Sequence, residues 1–211
     1  MKPALPAQFY LTGTDTDVGK TIVSALLCRA LDLEYWKPVQ SGLMIETDTE
    51  LVARLARCTV HPETYRLNRP ASPHTAAEAD GLRIAMDRLV LPPVERLVVE
   101  GAGGLMVPYA VDPVFWQSDV IRHLALPVLV VARTGLGTLN HTFMTLRTLR
   151  EEHLLPFGVI VVGNEHPDNQ RDIAAMSGVP VLARVPWVTD VEQEFDALAQ
   201  DLKRQLLGGK R

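Results

Sequence analysis

Two lysines, two carboxylates and a glycine-bracketed turn are the residues most able to do chemistry. Lys20 lies in Gly13-Thr14-Asp15-Thr16-Asp17-Val18-Gly19-Lys20-Thr21, which follows an apolar run and opens a segment of helical period. In that setting backbone N–H groups and a helix N-terminus cradle phosphate oxygens, the lysine reaches the β and γ phosphates, and the Thr21 hydroxyl ligates Mg²⁺. Five residues separate Gly13 from Gly19, one more than in the common phosphate loop, which sets the chain apart from ordinary GTPases and kinases. A nucleoside triphosphate brings Mg²⁺, and Mg²⁺ favours a hydroxyl, one or two carboxylates, phosphate oxygens and water. Glu100 ends an apolar run and meets Gly101-Ala102-Gly103-Gly104, whose small residues let a ligand approach the backbone. Asp48 precedes a helical segment, where it can be an N-cap, a metal ligand or both. Lys37 sits in Trp36-Lys37-Pro38-Val39-Gln40-Ser41-Gly42, with Pro38 stiffening the backbone and Ser41-Gly42 offering a small polar turn. A second fixed cation beside a phosphate-loop lysine suits a reaction in which negative charge develops.

Positioning such residues takes a sheet whose strand ends converge. Apolar runs without polar alternation occur at 9–12, 97–100, 128–132, 159–162 and 181–185, with 35–39 a weaker candidate because Lys37 and Pro38 suit a strand end. Helix-period segments fall at 20–31, 49–57, 82–89, 117–124, 139–153, 169–176 and 191–206. Alternation of this kind predicts an α/β fold: a three-layer sandwich with a mainly parallel sheet, in the P-loop NTPase class. The stretch 59–76 holds three prolines and reads as loop with a short helix. Ligands of open parallel sheets bind beyond the strands' carboxyl ends, and on that rim fall 13–21, 37–41, 100–104, 133–138, Asn164-Glu165 and Pro186-Trp187.

Bulk properties narrow the function class. A chain of 211 residues, 47% hydrophobic, with net charge −4 reads as one globular domain spanning 1–211, large enough to fold without disulfides or metal. Scattered basic residues leave no footprint for nucleic acid or a membrane surface. Cys28 and Cys58, each alone in helical context, read as buried thiols, and the absence of a leader-like apolar run predicts a cytoplasmic setting.

Taken together, the phosphate loop, Lys37-Pro38-Val39-Gln40-Ser41-Gly42, Ser72-Pro73-His74, Glu100-Gly101-Ala102-Gly103-Gly104 and Gly135-Leu136-Gly137-Thr138-Leu139-Asn140-His141 resemble the dethiobiotin synthetase family, collinearly to Pro186-Trp187. The Gly-Thr-Asp-Thr loop combined with Lys-Pro-Val-x-Ser-Gly is specific; the Glu-Gly-Ala-Gly-Gly turn is shared with related amidotransferase-type ligases. The resemblance implies a homodimeric cyclo-ligase of biotin biosynthesis that converts 7,8-diaminopelargonic acid, CO₂ and MgATP to dethiobiotin, ADP and phosphate. It implies catalytic roles for Lys37, Lys20 and Thr16, and a metal site of Thr21, Asp48 and Glu100. Nucleotide contacts fall to Asp17, Val18, Gly19, Lys20, Thr21, Ile22, Asp48, Glu100, Gly101, Ala102 and Gly103, with the adenine against Asn164, Glu165, Pro186, Trp187 and Val188. Substrate contacts fall to Thr16, Lys37, Ser41 and Gly103, and to Gly137, Thr138 and Asn140 from the partner subunit. The ribose contact rests between Glu192 and Gln193, and no tyrosine in 169–179 matches the family's cross-subunit contact.

His74 and His141 lie in family-matching segments but read as structural residues, and His61, His123, His153 and His166 as solvated. The last helical segment carries an apolar stripe of Phe195, Leu198 and Leu202 and predicts a docked amphipathic helix followed by a disordered tail from about 207. Two other readings share the fold. A nucleotide-switched partitioning ATPase wants a second lysine where this chain has Gly13 and Thr14, and an amidotransferase ligase wants a glutaminase domain for which 211 residues leave no room.

Overall fold

A computed structural model describes residues 5–208. In chain order the elements are β1 (Gln8–Gly13), α1 (Lys20–Leu31), β2 (Glu34–Trp36), β3 (Val39–Ser41), α2 (Asp48–Ala56), β4 (Val60–His61), β5 (Tyr65–Leu67), α3 (Pro73–Ala79), β6 (Leu97–Gly104), β7 (Pro108–Val111), β8 (Val114–Trp116), α4 (Gln117–Leu124), β9 (Val128–Arg133), α5 (Thr138–Glu151), β10 (Pro156–Val162), α6 (Pro167–Ser177), β11 (Val181–Val185) and α7 (Val191–Leu207). Seven strands form one sheet in the order β11-β10-β9-β1-β6-β2-β4, every neighbouring pair parallel.

The uninterrupted apolar runs form the interior strands because both their faces are covered. One face, with Phe9, Leu11, Val98, Leu129 and Ile160, packs beneath α1, α2 and α7. The other, with Tyr10, Val99, Val130 and Val159, joins residues of α3, α4, α5 and α6. The stripe of Phe195, Leu198 and Leu202 docks α7 on the first of these cores.

Four expectations need correction. The run 35–39 is not one strand: β2 pairs with β6 in the main sheet, the chain breaks at Lys37-Pro38, and β3 pairs with β5 in a separate ribbon. Proline cannot donate to a ladder, so the chain leaves the sheet at this point. The stretch 59–76 holds β4 and β5 before α3 opens at Pro73, strands too short to show a period. Residues 82–89 form only a single 3₁₀ turn at Met86–Arg88; Leu89 and Ile84 are buried, so their spacing reports core contacts rather than a helix. Leu207 is the last residue of α7 and Gly208 its left-handed cap, so the predicted tail starts too early; 209–211 lie outside the described residues. The hairpin β7–β8 had no sequence signal we read.

Candidate active site

Beyond β1 the chain reverses so tightly that a Cβ on Gly13 would lie 2.7 Å from the Asp15 carbonyl oxygen and 2.8 Å from Val18 Cγ2. Val18 is buried and anchors the loop on the core, while Gly19, at φ 96°, turns the chain into α1. No side chain caps that helix, so its first-turn N–H groups stay available to an anion. Lys20 is buried and lies back over the loop, its Nζ donating to the Asp15 carbonyl at 3.0 Å. Burial lowers its pKa and Lys37 adds to that, against the opposing pull of Glu100 and Asp48.

Glu100 is 1% exposed and lies within β6, not at a strand end, because Gly101–Gly104 continue the strand until Gly104 pairs with Gly13. Its Oε2 accepts from Ser24 Oγ at 2.7 Å and Tyr35 OH at 3.1 Å; its Oε1 faces Thr21 Oγ1 at 3.0 Å and Lys37 Nζ at 3.3 Å. Burial and the Glu100 charge together push the Tyr35 hydroxyl well above its ordinary pKa, so it acts as a donor.

Asp48 is not the cap of α2. Thr47 is, its side chain accepting from the Glu50 N–H at 3.3 Å while Glu50 accepts from the Thr47 N–H at 2.8 Å. The Asp48 carboxylate is thereby left to face the site, with Oδ1 2.8 Å from Thr21 Oγ1 and Oδ2 bonded to Lys37 Nζ. Burial raises its pKa, but Lys37, the Thr21 hydroxyl and Lys20 outweigh that and hold it below the usual carboxylate range. The Lys37 side chain is 7% exposed; burial opposes its charge, yet Glu100 and Asp48 hold it protonated with a raised pKa.

Thr21 Oγ1 has one proton to share between two carboxylate oxygens at 2.8 and 3.0 Å. The cluster thus has more oxygen acceptors than protons, an all-oxygen set of one hydroxyl and two carboxylates that fits a hard divalent cation such as Mg²⁺.

Two cavities flank the loop and share Asp17. One, of about 740 Å³, is lined by Thr16, Lys37, Ser41, Asp48, Ala102 and Gly103 among others, with exposed Met44 and Ile45 at its edge. Gly103 is left-handed at φ 65°, and Ser41 Oγ and Gln40 Oε1 are buried without a partner among the described residues. The other, of about 510 Å³, is lined by Arg133, Thr134, Gly135, Gly163, Asn164 and Trp187. Glu165 is exposed beside it; Pro186 and Val188 are half-buried, Val188 packing on the core.

Several predicted site residues lie elsewhere. Ile22, Glu192 and Gln193 line a separate cavity of about 490 Å³, where Glu192 pairs with Arg54, itself held by Glu46. Gly101 is small because of packing: a Cβ there would meet Gln117 Oε1 at 2.2 Å and Tyr10 Cε1 at 2.7 Å. Gly137, Thr138 and Asn140 open α5 outside the lining of the larger cavity, and the Thr138 hydroxyl donates to the Arg133 carbonyl. His74 bonds the Pro108 carbonyl and Thr75, a structural arrangement, and His61 is half-buried on Glu34 at 2.7 Å rather than solvated. Cys28 is buried as expected, its thiol directed at the Glu34 carbonyl at 3.9 Å, but Cys58 is only half-buried and follows α2. Sequence reasoning missed Ser24, Tyr35 and Gln117. Ser24 was within reach, since it follows Lys20 by four residues on one helix face.

The family model described as an AAA domain matches residues 7–195. The chain is 49% identical over 192 residues to the ATP-dependent dethiobiotin synthetase BioD of Sphingopyxis alaskensis, covering 91% of this chain and 94% of that one. It is 48% identical to the protein of the same name from Novosphingobium aromaticivorans, covering 91% and 93%, and 46% identical to that of Brucella anthropi, covering 91% of each. Among solved structures, a ParA family ATPase from Chlorobium tepidum superposes with a TM-score of 0.56 at 13% identity over 97% of this chain and 93% of the other. MinD from Aquifex aeolicus gives 0.55 at 12% identity over 97% and 98%, a likeness of fold alone.

Proposed function

The chain belongs to the dethiobiotin synthetase family, and from that premise we propose that it converts 7,8-diaminopelargonic acid, CO₂ and ATP to dethiobiotin, ADP and phosphate, with Mg²⁺ as cofactor. One amine of the substrate attacks CO₂ and loses a proton, giving a carbamate. A carbamate oxygen attacks the γ-phosphorus and ADP leaves, giving a carbamic–phosphoric anhydride. The second amine attacks the carbonyl carbon and loses a proton, phosphate leaves, and the ureido ring closes. No protein nucleophile takes part, in keeping with a site whose reactive groups are ammonium groups, carboxylates and hydroxyls.

The observation that carries this reading is the position of Lys37, buried against Asp48 and Glu100 while lining the larger cavity with Thr16 and Ser41. A fixed ammonium there stabilises the charge that grows on the carbamate and the transferring phosphoryl group. Lys20 and the phosphate-loop N–H groups hold the triphosphate, and the unpartnered Ser41 hydroxyl orients the substrate. Thr21, Asp48 and Glu100 would hold Mg²⁺, which neutralises β- and γ-phosphate charge when bound. The cavity beside Asn164 and Trp187 takes the nucleoside. In a homodimer, Gly137, Thr138 and Asn140 would meet the partner's substrate.

Phosphate release measured with and without 7,8-diaminopelargonic acid and bicarbonate tests the function. Release is expected only with both, and it is expected to fall by at least about 100-fold in Lys37→Met. Turnover of ATP without the diamine would instead favour a partitioning-type ATPase.

A further inference from the structure

Arg133 is the last residue of β9, the strand beside β1, and so reaches the rim next to the phosphate loop. Its Nη2 donates to the Thr16 and Asp17 carbonyls, both at 3.3 Å. Those carbonyls point outward because a phosphate loop turns its N–H groups inward. Asp17 is left-handed at φ 55° without being glycine, a conformation that needs outside support. Arg133 gives that support with one of its three nitrogens. Among the described residues no acceptor bonds Nε or Nη1 and no carboxylate pairs with the guanidinium. The side chain is exposed and lines the cavity that also holds Asn164 and Trp187. An arginine with a fixed anchor, free donors and an uncompensated charge on a cavity wall is suited to an anion.

We propose that Arg133 is a phosphate-reading residue of the nucleotide site, anchored on the loop through Nη2 and donating from its other nitrogens to the phosphate nearest the nucleoside. The inference rests on the reading above in which this cavity takes the nucleoside. It adds a third cation to the site, placed on the nucleoside side of the loop, opposite Lys37.

Calorimetric titration of ADP, AMP and adenosine into the wild-type enzyme, Arg133→Gln and Arg133→Lys, without diamine, tests it. Loss of a charge-assisted hydrogen bond should weaken ADP and AMP by about 10- to 100-fold in Arg133→Gln, with adenosine unchanged and Arg133→Lys intermediate. AMP carries only the phosphate nearest the nucleoside, so weakening of ADP with AMP unaffected would reduce Arg133 to a support of the loop and overturn the proposal. Equal weakening of adenosine would also overturn it, as a general loss of the pocket. Unaltered binding by Arg133→Gln would overturn it alone, whereas a wild-type enzyme that binds none of the three would overturn the nucleotide reading with it.

Discussion

Replacing Lys37 with Met keeps an unbranched apolar stem, one atom shorter than lysine, and removes the charge that Asp48 and Glu100 share. The Glu100 side chain is 0% exposed and that of Lys37 7%, so solvent cannot replace the pairing with Glu100, whereas the Asp48 side chain, 30% exposed, is partly solvated. Removing one partner of a buried ion pair costs about 3–5 kcal/mol. Ser24 and Tyr35 remain on Glu100 Oε2, which argues for the lower end, about 3 kcal/mol, or roughly 6–12 °C in Tm for a chain of this size. Urea unfolding in EDTA near neutral pH measures the difference free of metal. The pH dependence has a definite sign. Asp48 is held below the usual carboxylate range, so its contribution is present above an ordinary value of about 3.9 and lost as pH falls through its lowered folded value. In Lys37→Met that contribution is gone, so the gap between the two proteins is full at neutral pH and closes on acidification. Added Mg²⁺ should stabilise the variant more than the wild type, because it restores positive charge to a site that lacks it. A variant as stable as the wild type at neutral pH, or a gap that widens toward acid, would refute the electrostatic account of the cluster.

Three further outcomes follow from the same geometry. Gly101→Ala drives a methyl into Gln117 and Tyr10 and should cost about 1–3 kcal/mol in urea unfolding, with ADP affinity per folded molecule unchanged. Lys20 must be charged to hold phosphate, so ADP affinity should fall as pH rises through a value below the ordinary 10.5; Lys37→Met should move that limb to higher pH, and calorimetry across about pH 8–11 reads both. The neighbouring Cys28 thiol lowers the pKa of half-buried Cys58, whereas Cys58, burial and nearby Glu100 raise that of Cys28, so iodoacetamide should label Cys58 first, as peptide mass spectrometry would show.

Much of the architecture was legible because its signals are local. Strand runs buried on both faces have no polar alternation, and the bounds of α1 and β11 follow from Gly19 and the apolar block at 181–185. The phosphate loop is a contiguous segment whose glycines and lysine announce its chemistry; Lys37, Asp48 and Glu100 stood out by residue type and position at segment ends, and the resemblance then implied their roles. Local signals failed at β4, β5 and the hairpin β7–β8, which are two to four residues long, and at 82–89, where apolar spacing came from burial without helix.

The sequence by itself determined which residue types stand at the strand ends, and hence that phosphate, a divalent cation and developing negative charge are what this rim can handle. Only the tertiary structure decided that Thr47 rather than Asp48 caps α2, that Glu100 sits inside a strand beneath Ser24 and Tyr35, that Gly101 is small for Gln117, and that Arg133 crosses to the phosphate loop. Each of those depends on contacts between segments far apart in the chain. A side chain's burial and partners, which set its charge and role, come from the neighbours that folding brings to it and not from the residues on either side.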